Sequence, residues 1–290
     1  MKNSWILFIS LIFLFLFSRV ASNTEEGGGL EEEDEKEFDY DWRSKKGPSR
    51  WGLLKREWKA CNNGEMQSPI DMSDRKVKLL QKGSTDFISR IDYKSANATL
   101  KNRGHDISLQ WVIGEAGSIE INGTKFFLHQ AHWHSPSEHS INGRRYDMEL
   151  HMVHVNTNIT FNKNNHIAVI GVLYQIGHAD HFLFQLMKNI SKISDKKVEN
   201  FIGLVNPKRI LKLKRNTKFY RYMGSLTVPP CTEGVIWTIT KNVRSVSTAQ
   251  VQLLREAVQD HAERNARPVQ PLNNRNIYSS SNLHNLYTKN

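Results

Sequence analysis

The chain predicts a mainly β (α+β) single domain. Short runs of alternating apolar and polar residues dominate it, Gly, Pro and Asn clusters punctuate those runs, and one segment carries a clear helix start. The runs fall near His105–Ile113, Ser118–Ile121, Thr124–His134, Met148–Val155, Ile167–Tyr174, Phe219–Met223 and Val235–Thr240. Ser135-Pro136 and Ile141-Asn142-Gly143-Arg144-Arg145 favour a loop and a turn between two of them, so Thr124–His134 and Met148–Val155 are expected to pair antiparallel. Ser247-Thr248-Ala249-Gln250 resembles a capping box opening a helix through Leu253, Leu254 and Val258. No internal repeat or long linker interrupts the chain. The roughly 250 residues beyond the N-terminal region suffice for one large core.

Six of the 12 histidines lie between positions 129 and 154. Residues two apart on a strand share a face, so Gln130, His132 and His134 form one row, and antiparallel pairing brings His151 opposite it. Three neutral imidazoles leave a fourth position of tetrahedral zinc to water, the arrangement of a catalytic rather than a closed structural site. Gln130 shares a face with His132, and Glu149 with His151, each placed to accept the second ring N–H. For a lone histidine an ordinary hydrogen bond is the usual explanation, and His139 and His154 are read that way. His154 and His129 should point away from the triad, being odd numbers of positions from His151 and His132.

Beyond this cluster the residues resemble the α-class carbonic anhydrases, plant branch. Ser137-Glu138-His139-Ser140-Ile141, Tyr146 and Glu149-Leu150-His151-Met152-Val153 fit the family signature. Gly47-Pro48, Trp51, Cys61, Gln67-Ser68-Pro69-Ile70-Asp71, Asn102-Arg103-Gly104-His105, Gly224 to Cys231, Trp237 and Arg267 to Leu272 follow in the family's order, from about Phe38 to about Ile277. The resemblance implies a large twisted, mostly antiparallel sheet with short peripheral helices and zinc at the bottom of a conical cleft. His132, His134 and His151 are then the zinc ligands. Thr227 orients a zinc-hydroxide nucleophile while donating its own proton to Glu138, its main-chain N–H meets the substrate, and His105 is the proton shuttle. Val153, Val169, Leu226, Val235 and Trp237 form the apolar wall for carbon dioxide, although each is equally a plausible core residue. Val228 stands where many animal members carry a second threonine, altering contacts to bicarbonate or inhibitors. The tyrosine many relatives place before Gly-Pro is matched ambiguously by Tyr40 and Trp42. Ser68-Pro69 and Pro229-Pro230 match positions of cis peptide bonds. Sulfonamide or anion inhibitors and a monomeric or dimeric state are also implied.

Lys2, an apolar run from Trp5 to Phe17 and Ala21-Ser22 read as a signal peptide over residues 1–22, too short to span a bilayer comfortably. Residues 23–37 read as an acidic disordered leader, 38–280 as the catalytic domain and 281–290 as a tail. Sequons at Asn97, Asn122, Asn158 and Asn189 fit the secretory pathway, as does a disulfide between Cys61 and Cys231, for which two buried thiols are the alternative. Extracellular space or apoplast is the expected destination, with the chloroplast by the secretory route a second. The formal charge of +11 conceals net −9 over residues 25–41 and +18 from Trp42 onward. The basic residues are dispersed and no nucleic-acid motif accompanies them, so no nucleic-acid partner is expected. Three functions compete: a zinc lyase interconverting carbon dioxide and bicarbonate, a catalytically weak or silent storage or binding relative, and a zinc esterase or peptidase. The complete triad, Thr227–Glu138 and His105 favour the first, and an apolar pocket disfavours peptides.

Overall fold

A computed structural model describes residues 37–79, 88–157, 166–194, 199–211, 217–258 and 264–279. The signal-peptide segment, nearly all of the acidic leader, Asn158 and the C-terminal tail lie outside them. The strands are β1 (Asp71–Met72), β2 (Val77–Leu79), β3 (Ile88–Tyr93), β4 (Ala96–Asn102), β5 (Ile107–Trp111), β6 (Gly117–Ile121), β7 (Thr124–His134), β8 (Ser140–Ile141), β9 (Arg144–Arg145), β10 (Met148–Val155), β11 (Ile167–Ile176), β12 (Glu199–Val205), β13 (Phe219–Ser225), β14 (Glu233–Thr240), β15 (Arg244–Val246) and β16 (Ile277–Ser279). Thirteen form one sheet whose main path runs β12-β4-β5-β7-β10-β11-β14-β13-β16-β2, with β3, β6 and β15 beside it. Within it, only β11–β14, β11–β15 and β16–β2 are parallel, so the mostly antiparallel expectation holds. The short strands β1, β8 and β9 make a second sheet.

Strands β7 and β10 match the sequence expectation residue for residue. In β10 every residue is buried although the sequence alternates, with Met148, Leu150 and Met152 on one face and Glu149, His151 and Val153 on the other. One face joins an extended core with Leu150 and Met152, while Val153 joins Val169, Leu226, Val235 and Trp237 in a separate cluster. Helices pack at the periphery: the single-turn helices α1 (Trp51–Leu54) and α2 (Ala60–Asn63), then α3 (His181–Lys192) and α4 (Thr248–Val258). The capping box forms as read, with Gln250 N–H on Ser247 Oγ at 3.3 Å and Ser247 N–H on Gln250 Oε1 at 3.2 Å. Helix α3 was not foreseen, although Asp180 caps it through Leu183 N–H and Phe182, Leu183, Leu186 and Ile190 bury one stripe. Cys61 and Cys231 form a disulfide. Ser68-Pro69 and Pro229-Pro230 are cis, and so is Ser135-Pro136.

His154 turns to the side opposite the triad, where its Nε2 lies 2.7 Å from Tyr93 Oη and its Nδ1 3.2 Å from the Ala168 carbonyl. Burial lowers its pKa to about 4, against the weaker opposing pull of the Ala168 and Met152 carbonyls. The unfolded chain, with an ordinary imidazole, therefore binds the extra proton first. Stability supplied by this group is complete above about pH 6.5 and is lost as pH falls toward 4. The difference corresponds to about 3 kcal/mol over that window. Replacing His154 with Gln, which does not titrate, is expected to flatten the fall in unfolding free energy across this range, as read by urea denaturation at a series of pH values.

Candidate metal centre

Antiparallel pairing of β7 and β10 sets His151 opposite His132 and Glu149 opposite His134. Because His132, His134 and His151 all project from one face, their rings converge, with centroids 4.7–5.1 Å apart. One ligand nitrogen from each lies within 4.8 Å of the others, and all three side chains are buried.

Each imidazole is held through its other nitrogen. His132 Nδ1 donates to Gln130 Oε1 at 3.1 Å, and Gln130 is itself steadied by Ser108 Oγ at 3.1 Å. His134 Nδ1 donates to the Asn265 carbonyl at 2.6 Å, and His151 Nε2 to Glu149 Oε1 at 2.9 Å. These bonds leave Nε2 of His132 and His134 and Nδ1 of His151 as the converging ligand atoms. His134 Nε2 is buried without a hydrogen-bond partner, as fits a nitrogen whose lone pair is reserved for a metal. Burial holds the His132 pKa well below the usual imidazole value and so favours the neutral, ligating form. At His134 burial acts in the same direction, but Glu138, then Asp106, the Asn265 carbonyl and Glu149, outweigh it and raise the pKa. Three nitrogen donors without thiolate fit catalytic zinc.

The second Glu149 oxygen ties the carboxylate to the chain. Oε2 accepts the main-chain N–H groups of Glu138 and His139 at 2.9 and 2.8 Å, and Oε1 also accepts His139 Nδ1 at 2.7 Å. Burial alone raises the Glu149 pKa, yet the imidazoles of His139 and His151 hold it well below the usual carboxylate range. His139 Nε2 continues to Tyr222 Oη at 2.6 Å and Tyr222 to Ser68 Oγ at 2.7 Å. His139 is therefore a member of the site's hydrogen-bond chain, not the bystander that its sequence position implied. Gly171 faces His151 across β10 and β11, and a Cβ there would stand 2.4 Å from Ile239 Cδ1 and 3.1 Å from Glu149 Oε1.

Glu138 and Thr227 are both buried, and Glu138 lies against the triad through His134. Glu138 Oε1 accepts the Arg267 main-chain N–H at 2.8 Å. Its Oε2 makes no hydrogen bond and lies 3.7 Å from His134 Nε2. The expected Thr227–Glu138 hydrogen bond is thus not formed at Oε2 in this structure. Arg267 donates from Nη1 to Gln67 Oε1 and the Ser68 carbonyl and from Nη2 to the Cys61 carbonyl. Burial brings its pKa down to about 10. Val153, Val169, Leu226, Val235 and Trp237 all belong to one buried hydrophobic cluster, whereas Val228 packs with Phe38, Trp51, Trp58 and the disulfide.

His105 is buried, with Nε2 2.7 Å from the Phe38 carbonyl and the Phe38 and Tyr40 rings packed on it at 5.3 and 5.4 Å. This differs from the exposed imidazole that is the ordinary expectation for a lone surface histidine. Tyr40, not the exposed Trp42, is the aromatic residue at this position. Asn265 joins this corner to the ligand strand, since its Nδ2 donates to the carbonyls of His105 and Trp133 while its own carbonyl holds His134. Sequence reading missed Asn265 and Arg267 as site residues. Arg267 opens the Arg267–Leu272 motif that carries the resemblance, whereas Asn265, two positions before it, leaves no local signal.

Comparisons with known proteins place this geometry. A family model described as eukaryotic-type carbonic anhydrase matches residues 46–281. Alpha carbonic anhydrase 7 of Arabidopsis thaliana is 47% identical over 95% of this chain and 95% of its own. Carbonic anhydrase Nec1 of Nesocodon mauritianus is 46% identical over 92% of each. Among solved structures, dioscorin complexed with ascorbate superposes with a TM-score of 0.76 at 40% identity, covering 86% of this chain and 99% of that one. The α-carbonic anhydrase of Thermovibrio ammonificans with the inhibitor sulfanilamide gives 0.72 at 30% identity, covering 86% and 100%.

Glu149→Gln replaces a carboxylate accepting four hydrogen bonds by an amide whose nitrogen faces donors. Zinc affinity is expected to fall roughly 10- to 100-fold, the usual cost of losing an outer partner of a metal histidine. Competition with a chromophoric chelator reads that change directly.

Proposed function

Because this chain belongs to the α-carbonic anhydrases, we propose that it hydrates carbon dioxide around one zinc ion held by His132, His134 and His151, with His105 relaying the released proton. The enzyme class follows from the family: it is a carbonate dehydratase acting on carbon dioxide and bicarbonate. The zinc reading is carried by one observation, three buried imidazoles with ligand atoms within 4.8 Å of one another and each steadied through its other nitrogen.

Zinc at three neutral nitrogens supplies the Lewis acidity that makes water a nucleophile near neutral pH, the behaviour for which this family is the standard example. The chain supplies direction. An ionised Glu138 only accepts, so a Thr227 hydroxyl donating to its partnerless Oε2 must turn a lone pair toward the attacking oxygen. Val153, Val169, Leu226, Val235 and Trp237 receive a substrate that offers no strong hydrogen bonds. Oxygen adds to the carbon, bicarbonate leaves, and one proton must depart for each turnover. An imidazole accepts and releases protons near neutrality, and His105 must exchange its bond to the Phe38 carbonyl to do so. Sulfonamides and anions are the inhibitors this site is expected to take.

We further propose a secretory route to the extracellular space or apoplast, with the chloroplast a second destination. The apolar run from Trp5 to Phe17, the Cys61–Cys231 bridge and the four sequons support it. Among the described residues no helix is long and apolar enough to cross a membrane.

On one purified sample, zinc content and carbon dioxide hydration are expected to give one zinc per chain and sulfonamide-sensitive activity, both lost in His134→Ala. His105→Ala should retain zinc and slow turnover on the order of 100-fold or more, with part of the rate returned by small imidazole buffers. Zinc binding without hydration transfers the case to the silent storage or binding reading, for which ascorbate, the ligand of the solved dioscorin complex, is the first probe.

A further inference from the structure

Strand β12 lies at one end of the large sheet and pairs, among the described residues, with β4 alone. Its outer face is apolar: Phe201 and Leu204 are 67% and 74% exposed, and Val112, next after β5, is 65% exposed. Phe201 and Leu204 are three apart and would face opposite sides of a regular strand. A bulge between Phe201 and Gly203 alters the register so that they oppose Thr99 and Asn97, residues on one face of β4. Gly203 takes φ +78, a backbone conformation that favours glycine. At the far end this face closes with the Lys101–Glu199 ion pair.

Asn97 stands in the middle of the apolar region. Leu204 opposes it across β12, and because Ala98 opposes Trp111, Val112 comes beside it on the other flank. Adjacent strands are about 4.8 Å apart, so both side chains border the exposed Asn97 amide. Asn97-Ala98-Thr99 is a sequon, and Thr99 shares the face of Asn97. Exposed apolar surface on a sheet edge is a template for association unless something covers it. An N-linked oligosaccharide is bulky, solubilising and rooted where it can lie over both flanks. The other described sequons lack this setting. Asn122 occupies a hairpin tip at φ 50, and Asn189, half-buried in α3, accepts from Asn200 Nδ2 at 3.3 Å.

We propose that Asn97 carries an N-linked glycan that shields the Phe201–Leu204–Val112 face and keeps the β12 edge from self-association. The inference rests on the secretory route proposed above, and occupancy at Asn122 separates the two. The full chain, secreted from plant cells, is analysed by glycopeptide mass spectrometry, then by sedimentation and apolar-dye fluorescence before and after enzymatic removal of the sugar. Asn97→Gln and Thr99→Ala are compared with the same variants carrying Leu204→Lys. The expected result is sugar on Asn97 in most molecules. Its loss, by enzyme or by either substitution, should raise dye fluorescence several-fold and produce self-associated species that Leu204→Lys disperses, with carbon dioxide hydration unchanged. A bare Asn97 beside an occupied Asn122 overturns the proposal and leaves secretion standing, whereas no sugar at any sequon overturns both. An occupied Asn97 whose removal changes neither readout also overturns it. So does a bare Asn97 in a wild-type dimer that Leu204→Lys dissociates, since a second copy then covers the face.

Discussion

Opposition of His151 to His132 across β7 and β10 is the constraint from which the centre follows. A strand repeats every two residues, so sliding β10 by one position would send His151 and Glu149 to the far face and bring Leu150 and Met152 into the cleft. The apolar content of those strands prevents the slip. Both faces of β10 are buried, and its alternate residues join different clusters, Leu150 and Met152 in one and Val153 in the other. Hydrophobic packing of the sheet and alignment of the three ligands are consequently one requirement.

Burying a carboxylate is expensive unless its lone pairs are engaged. Glu149 meets that condition with four donors, two from the main chain after the Ser135-Pro136 turn and two from imidazoles. The same carboxylate thereby fixes the loop that carries Glu138 and the tautomer of His151. Its partner His139 passes the connection to Tyr222, which burial keeps protonated by raising its pKa well above the phenol range. The network stays connected because the Glu149 carboxylate, which only accepts, ends it, while His139, Tyr222 and Ser68 each offer both a donor and an acceptor.

Local periodicity made the central strands legible. Thr124–His134 and Met148–Val155 announce themselves because alternation, β-branching and turn residues agree, and the same spacing assigns Gln130 and Glu149 as partners of His132 and His151. Other elements gave weaker signals. In β3 a register shift between Ile88 and Arg90 breaks the alternation, and in β4 the inward positions Ala96 and Ala98 are too small to register as an apolar run. Roles that depend on distant pairing were invisible. Asn265 meets His134 across 131 positions and Arg267 meets Glu138 across 129, and no local pattern encodes such encounters. The burial of His105 under Phe38 is of the same kind.

Asn265 and Arg267 are made 131 and 129 residues after the His134 and Glu138 that they brace. A nascent chain holding all three ligands still lacks the carbonyl that orients His134 and the amide that anchors Glu138. Maturation of the centre thus waits until the segment carrying residues 265–267 has been made. A clipped product without this late segment would keep its ligands while losing their alignment.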